Sequence, residues 1–338
     1  MAISNDLLSS TLYSIRDGEV DELFQKVAFL DNAKRFGGIE YEDGGIKIQR
    51  PLSIAEHSQI TNLPTGYEAV NLAVKDVLQP AIYEWADFTA PIVITKKEEL
   101  ENKGEKAIVK IVEARMRSVM GMLRRELNKQ LLRGNSTVLT TVNTLNGDVA
   151  GGFLEAETKA NQNNTVGGIS KTTYPVNGWL NQVADIQADF GNNGILGMQQ
   201  MAIQANTVTH MGEIQCVLLS EAAMANYRRA LFAQERYINE KTLDGGRMQL
   251  AFGGAVVEQD LELGFSYNSA DFGAAPLSGY FLNFDGVKLC MHKDADFAVS
   301  PFEHISGTTA RAAQLYVKMQ LIADHLGSCG VLFDADTF

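Results

Sequence analysis

A chain of 338 residues with 45% hydrophobic side chains can fill a sizeable core, as two domains or as one domain with large insertions. Its formal net charge of -12 at pH 7 excludes a surface built to grip phosphates or anionic lipid, because an acidic protein repels both at long range. No window holds about eighteen uninterrupted apolar residues, and the start MAISNDLLSSTLYSIRDGEVDELF lacks a basic leader and a long apolar run, which predicts a protein made and kept in a cytosol, away from membranes.

Residues 1–36 predict one or two short amphipathic helices, with Val20, Leu23, Phe24, Val27 and Leu30 on one stripe and Gly37-Gly38 as the stop. Helices of this length are marginal in water, so the segment needs a surface to lie on and reads as an arm. Two alternating strands are expected next, YEDGGIKIQRPL at 41–52 and EAVNLAVKD at 68–76, joined by the long connection SIAEHSQITNLPTGY. Alternation sets Ile46, Ile48 and Leu52 against Lys47 and Gln49. A lone two-stranded ribbon is barely stable, so its apolar face must dock on something else. After Pro80, the run AIYEWADFTAPIVIT brings Trp85, Phe88 and a strand at 92–94 back into a core.

From Glu105 to Arg133, Ile108, Ile111, Val112, Val119, Met122, Leu123, Leu127 and Leu131 recur at three- and four-residue steps, and Gly134 is a natural stop. This predicts one helix roughly 40 Å long, about the breadth of a domain. Lys110, Glu113, Arg117 and Arg124 form its charged face, with Arg115 nearer the apolar stripe. Glu98, Glu99 and Glu101 suit the positive end of a helix, and Thr95 and Glu98 have capping-box spacing. Residues 134–174, rich in Asn, Gly and Thr, read as exposed loops and a boundary. A second α/β region follows, with helices at 176–190 and 196–206, a buried strand at 214–220 and a helix at 221–233. Strands are expected at 254–259, 280–284 and 287–291, the last two joined by an Asp285-Gly286 hairpin turn. The closing RAAQLYVKMQLIADHLGSCGVLF reads as long strands returning to the first core.

Catalytic ingredients are sparse. The five histidines, His57, His210, His292, His304 and His325, show no HExxH pattern and no paired ligand spacing. The three cysteines, Cys216, Cys290 and Cys329, each sit in an apolar run, so neither a disulfide nor a zinc site is expected. Cys290 and His292 are two apart and share a face on a strand, which leaves open a soluble α/β enzyme using that pair. No phosphate-binding glycine loop is present, and Arg228, Arg229 and Arg236 read as ion-pair donors within an acidic chain. No metal or cofactor is expected.

The order of these elements resembles the major capsid proteins of tailed bacteriophages. The likeness is carried by Trp85 followed by APIVITKKEELENKG and AIVKIVEARMRSVMGMLRRELNKQLLRG, by VLLSEAAMANYRRALFAQERYINEKTLDGGRMQLAFGGAVVEQD, and by YVKMQLIADHLGSCGVLF. The resemblance implies an α+β fold with an N-terminal arm at 1–38, an extended β-hairpin loop at 39–81, and a peripheral domain at 82–174 with a spine helix. An α/β axial domain at 175–308 and return strands of the peripheral domain at 309–338 complete it. It implies that the loop lies across an adjacent subunit through Ile46, Ile48, Arg50, Leu52, Val70, Leu72 and Val74, and that Gly37, Gly38, Gly44, Gly45 and Pro80 are hinges. Ile108, Ile111, Val112, Val119, Leu123 and Leu127 would be the spine-helix core. The implied function is a structural one, self-assembly into hexamers and pentamers of an icosahedral or prolate virion head. That head would be assembled in the host cytoplasm and would enclose DNA without specific binding, with a portal and a separate scaffolding protein as partners. An encapsulin-type nanocompartment shell is the alternative on the same fold. Lys47 and Lys75 lie in the loop, but no Asn and activating carboxylate identify a covalent cross-link.

Overall fold

The computed structural model describes residues 12–13, 15–16, 19–20, 22–23, 27–53, 66, 78–101, 105–133, 138–142, 145, 165–171, 179–185, 193–209, 213–233, 241–242, 248–260, 263 and 277–333. The first helix described in full, α1 (Ala28–Arg35), buries Phe29, Leu30 and Ala33. It ends in a Schellman turn: Gly37 takes a φ of 72°, and the Gly38 N–H reaches back to the Ala33 carbonyl at 2.7 Å. Then come β1 (Ile39–Glu42), β2 (Lys47–Ser53), β3 (Leu78–Glu84) and β4 (Ala86–Thr95), followed by α2 (Lys96–Glu101) and the 29-residue α3 (Glu105–Arg133). Thr95 and Glu98 close the expected capping box, the Thr95 N–H donating to the Glu98 carboxylate at 3.0 Å. The buried stripe of α3 is Val112, Met116, Met120, Leu123, Leu127 and Leu131. Ile111 and Val119 are half-buried beside it, and the side chain of Ile108 lies outside the described residues. Met122, expected on the stripe, is instead 73% exposed, because two residues from Met120 is a turn of about 200° around the helix.

Two small strands, β5 (Thr165–Val166) and β6 (Ile169–Ser170), form a hairpin. Beyond it lie β7 (Gln182–Asp185), α4 (Ile195–Thr209), β8 (Cys216–Leu219), α5 (Glu221–Ala233), β9 (Lys241–Thr242), β10 (Met248–Phe252) and β11 (Ala255–Gln259). The chain ends with β12 (Leu277–Leu282), β13 (Val287–His292), β14 (Ala298–Val299), β15 (Glu303–His304), β16 (Ala310–Ala323) and β17 (Gly330–Phe333). The helix expected at 176–190 is contradicted: residues 182–185 are the strand β7, which pairs in parallel with β17. Tertiary pairing at a sheet edge there overrides a helix-like local pattern.

The strands make two main sheets. In the six-stranded sheet the 14-residue β16 is the axis, with β4 antiparallel along one edge and β13, β14 and β15 along the other, and β1 parallel to β13. The seven-stranded sheet runs β7-β17-β12-β8-β11-β10-β9. Its central β8 is buried at all four positions, as its continuous apolar run demands. Met198 and Met201 of α4 and Ala223, Met224 and Tyr227 of α5 pack with this sheet in a core of their own. The larger core joins the six-stranded sheet to α1, α3 and buried arm residues Leu12 and Leu23, so the arm lies on its own chain. Glu19 and Glu22 of the arm pair with Arg117 and Arg124 of α3 at 3.4 and 3.8 Å.

Two expected connections are corrected by the sheet order. β12 and β13 are not a hairpin, since β12 pairs β8 and β17 whereas β13 pairs β1 and β16. The Asp285-Gly286 turn therefore carries the chain from one sheet to the other, and β13, β14 and β15, expected with the axial elements, share the sheet of β4. Likewise the closing segment does not return as one unit: β16 belongs to the six-stranded sheet and β17 to the seven-stranded one. The two crossings, 283–286 and 324–329, run side by side. The Gly286 carbonyl accepts from the N–H groups of Asp324 and His325 at 2.8 and 3.1 Å, and the Asn283 carbonyl accepts from Gly286 and Val287. A Cβ on Gly286 would stand 2.6 Å from the His325 carbonyl oxygen and 2.9 Å from Ser328 Oγ.

Two further links, polar and buried, tie the helices α1 and α3 to the seven-stranded sheet. Asn32 of α1 donates its side-chain amide to Glu258 of β11 at 3.1 Å, and Asn128 of α3 donates to Asp260 at 2.9 Å. All four side chains are buried, and no spacing in the sequence marks them. Gly286→Ala is expected to cost about 1–3 kcal/mol of subunit stability, read by urea denaturation, because the crossing has no room for a methyl group.

Candidate assembly interface

A separate two-stranded ribbon is β2 paired with β3, in register from Lys47 opposite Glu84 to Ser53 opposite Leu78. It differs from the expected one in both strands. β1, expected in the loop, lies in the sheet beside β13, and the described partner of β2 is 78–84. The expected strand at 68–76, with Val70, Leu72 and Val74, lies outside the described residues.

The ribbon meets the sheet where β4 begins. Gln320 of β16, 1% exposed, donates to the carbonyls of Glu84 and Val138 at 2.5 and 2.7 Å and accepts from the Thr140 N–H at 2.8 Å. Trp85, between β3 and β4, donates its indole N–H to the Gly45 carbonyl at 3.0 Å. Gly44 and Gly45, with φ of 141° and 111°, make the turn from β1 into β2 in a region that side-chain-bearing residues rarely enter. Of the other residues expected as hinges, Gly38 packs closely, and a Cβ there would meet the Phe284 side chain at 2.8 Å. Pro80 sits inside β3 directly opposite Pro51 of β2. Neither proline can donate to the ladder, so both prolines suit a rung whose N–H groups would point outward, which blunts the ribbon's edges toward a further strand.

Alternation gives the ribbon two faces, and the chain covers one of them itself. Ile48 is 1% and Leu52 7% exposed, and Ala81 and Tyr83 of β3 lie on the same buried side. The β5–β6 hairpin closes over this side. Its Gly167 carbonyl accepts from the Ile82 N–H at 2.9 Å, and a Cβ at Gly167 would come within 2.8 Å of Ala81 Cβ and 2.9 Å of the Tyr83 ring. The Tyr83 hydroxyl donates to the Ala323 carbonyl at 3.1 Å and accepts from the Ala323 N–H at 3.2 Å; burial raises its pKa and keeps it protonated. Ile48 and Leu52 are thus core residues of their own subunit, contrary to the expectation that a neighbour covers them.

Arg50 is also held within the chain. Its guanidinium pairs with Glu40 and, at 3.5 Å, with Glu42, while Lys288 of β13 reaches Glu40 at 2.5 Å and Asp324 at 3.6 Å. Burial alone would raise the Glu40 pKa, but hydrogen bonds from Lys288 and Arg50 outweigh it and hold the carboxyl below its ordinary range. The cluster clamps the root of β2 to the sheet.

The opposite face is left open. Leu78 is 64% and Ile82 41% exposed, Pro51 and Pro80 are exposed beside them, and Ile46 at the strand's entry is 93% exposed. Of the ribbon residues expected at an intersubunit contact, only Ile46 has this exposure among those described. Further open apolar side chains are Met122 on α3 and Leu196 and Ile203 on α4.

The nucleophile pair does not survive the geometry. Cys290 is fully buried, and desolvation together with nearby Glu42 and Glu40, against Arg50, pushes its thiol up to about 12, far from the thiolate. The His292 ring accepts from the Asp294 N–H at 3.1 Å and stands edge-on to Trp85 at 5.7 Å. Among the described residues no group of three metal-ligating side chains is gathered, and no helix is long and apolar enough to cross a membrane. Arg236 lies outside the described residues.

No protein-family model and no curated protein matches the chain. Solved structures do. Over 91% of its length the chain is similar to 92% of a chain of the cyanophage A-1(L) capsid, with a TM-score of 0.61 at 15% identity. It is similar over 90% of its length to 90% of a capsid chain of an empty GTA particle, with a TM-score of 0.53 at 9% identity. A chain from Mycobacterium phage Bobi is similar over 89% of its own length and 88% of this one, with a TM-score of 0.52 at 10% identity. At such identities the shared property is the fold, the α+β capsid fold that the order of the sequence blocks had indicated.

The two faces of the ribbon separate in a stability measurement. Ile48→Ala is expected to cost about 2–5 kcal/mol in urea denaturation, and Ile46→Ala no more than about 0.5 kcal/mol. The Glu40 clamp has a definite sign with pH. A carboxyl whose pKa is lowered on folding adds stability above its unfolded value and loses it as pH falls through the folded one. Wild type is therefore expected to be more stable than Glu40→Gln at pH 7, with the difference closing as pH drops below the ordinary value of 4.5.

Proposed function

We propose that this chain is the shell subunit of a phage-type capsid, a structural protein whose copies close into hexamers and pentamers around a genome. The observation that carries this reading is the half-covered ribbon. On a fold shared with phage capsid chains over nine-tenths of the length, one face of β2–β3 is closed by the chain's own hairpin, while Leu78 and Ile82 on the other face, and Ile46 at the entry to β2, stay in water. Single exposed apolar residues are ordinary, but Leu78 and Ile82 on one face of a two-stranded element, flanked by Pro51 and Pro80 and with Ile46 at its entry, form a surface that a neighbouring copy can bury. The ribbon's edges are poor templates for added strands, so the contact is made by side chains across its face.

Gly44 and Gly45 supply the bend that lets one sequence place this ribbon in both hexamers and pentamers. The net charge of -12 suits a container for DNA, because a lining without phosphate-gripping cations lets the polymer enter and leave. A scaffolding protein and a portal would direct closure, and the head would be built in the host cytoplasm. What the shell holds separates this reading from a nanocompartment: nuclease-protected DNA in one case, a protein cargo in the other.

The purified protein is expected to form closed particles or capsomers visible by negative stain. The triple variant Ile46→Asp, Leu78→Asp, Ile82→Asp is expected to keep the wild-type circular dichroism and melting curve yet form no closed particles at concentrations where wild type does. Normal particles from the triple variant would remove the ribbon's outer face from the assembly.

A further inference from the structure

The helix α4 differs from the rest of the surface. Charged residues make up 21% of the chain, so an average fifteen-residue stretch would carry about three, yet Ile195–Thr209, ILGMQQMAIQANTVT, has none. By contrast α5 carries Glu221, Arg228 and Arg229, and α3 is charged along its open side.

The inner side of α4 is firmly seated. Met198, Met201 and Ala205 are fully buried against the β7–β17 end of the seven-stranded sheet. The fit is close enough that a Cβ on Gly330 of β17 would stand 2.4 Å from Met201 Sδ. The described outer side carries apolar and amide groups without a charge. Leu196 is 52% and Ile203 65% exposed, seven residues apart and so on one face, with Gln199, Gln200 and Gln204 exposed between and beside them.

We propose that this outer face of α4 is a second contact between copies of the chain, distinct from the ribbon; the proposal rests on the shell reading above. The occupant follows from charge. Two copies each carrying -12 repel, so a self-contact is most favourable where neither copy must bury a carboxylate. A cationic partner or a nucleic-acid-binding role would require charges that this face lacks, and an interfacial membrane helix would show lysine or arginine on its polar side. Glutamine amides both donate and accept, so a face of Gln, Leu and Ile can be satisfied by another uncharged face of the same protein without an opposite charge. Depletion of charge with retained apolar and amide groups is the composition of an interface centre.

The test uses the full chain and a thiol probe. Cys216, Cys290 and Cys329 are all buried, so Gln200→Cys introduces an accessible thiol on α4 against a quiet background. Maleimide labelling of that thiol is expected to be about tenfold or more slower in assembled particles than in subunits dissociated from them, as burial in an interface excludes the reagent. The variant Leu196→Glu, Ile203→Glu is expected to melt as wild type does but to lose assembly. Equal labelling rates in particles and subunits, with normal particles from the double variant, would overturn the α4 contact and leave the shell reading standing. Slow labelling in both states would also overturn it, by showing that the chain covers its own helix. A wild-type protein that forms no oligomer at any concentration would overturn both readings together.

Discussion

A two-stranded ribbon by itself is marginal in water and needs a face covered to hold its shape. In this protein the β5–β6 hairpin, more than eighty residues away in the sequence, closes the Ile48, Leu52, Ala81 and Tyr83 side. The glycine at 167 permits that closure, because any side chain there would strike Ala81 and Tyr83. With one face closed the ribbon holds its shape in the free subunit, and with the other open it remains available. That division lets a two-stranded element be both folded and unsatisfied.

The root of the ribbon is fixed by groups from four directions. Gln320 comes from β16, Trp85 from the break between β3 and β4, Arg50 from β2, and Glu40 and Lys288 from β1 and β13. The ion pairs stand at partly covered positions, where screening by salt is weaker than at an open surface. They tie the root to the sheet, while the turn at Gly44 and Gly45 takes a backbone conformation that favours glycine.

The two sheets are joined with similar redundancy. Paired crossings at 283–286 and 324–329 share backbone hydrogen bonds through Gly286, and the amides of Asn32 and Asn128 bind the buried carboxylates at the end of β11. These are hydrogen bonds between buried groups, which fix the geometry of the junction as well as hold it. A subunit built this way presents its ribbon and its uncharged α4 face in fixed relation to each other.

Local periodicity by itself determined the elements whose burial is one-sided and continuous. These are α3 with its stop near Arg133, the Thr95–Glu98 cap, the buried run of β8, the helix α5 and the long β16. It also determined their order, and the resemblance of that order to phage capsid proteins implied the fold. What the tertiary structure alone decided was which strand pairs with which and which face turns inward. A period of two marks Ile48 and Leu52 as one face but carries no information about whether a hairpin at 165–170 or another subunit covers it. The Asp285-Gly286 turn likewise encodes a change of direction, and only the neighbours waiting on either side make it a crossing between sheets. Single buried amides such as Asn32 and Asn128 left no pattern to read, since a hydrogen bond to a residue 226 or 132 positions away has no periodicity. Chain-local physics sets what each segment can become; contacts between distant segments set what it is.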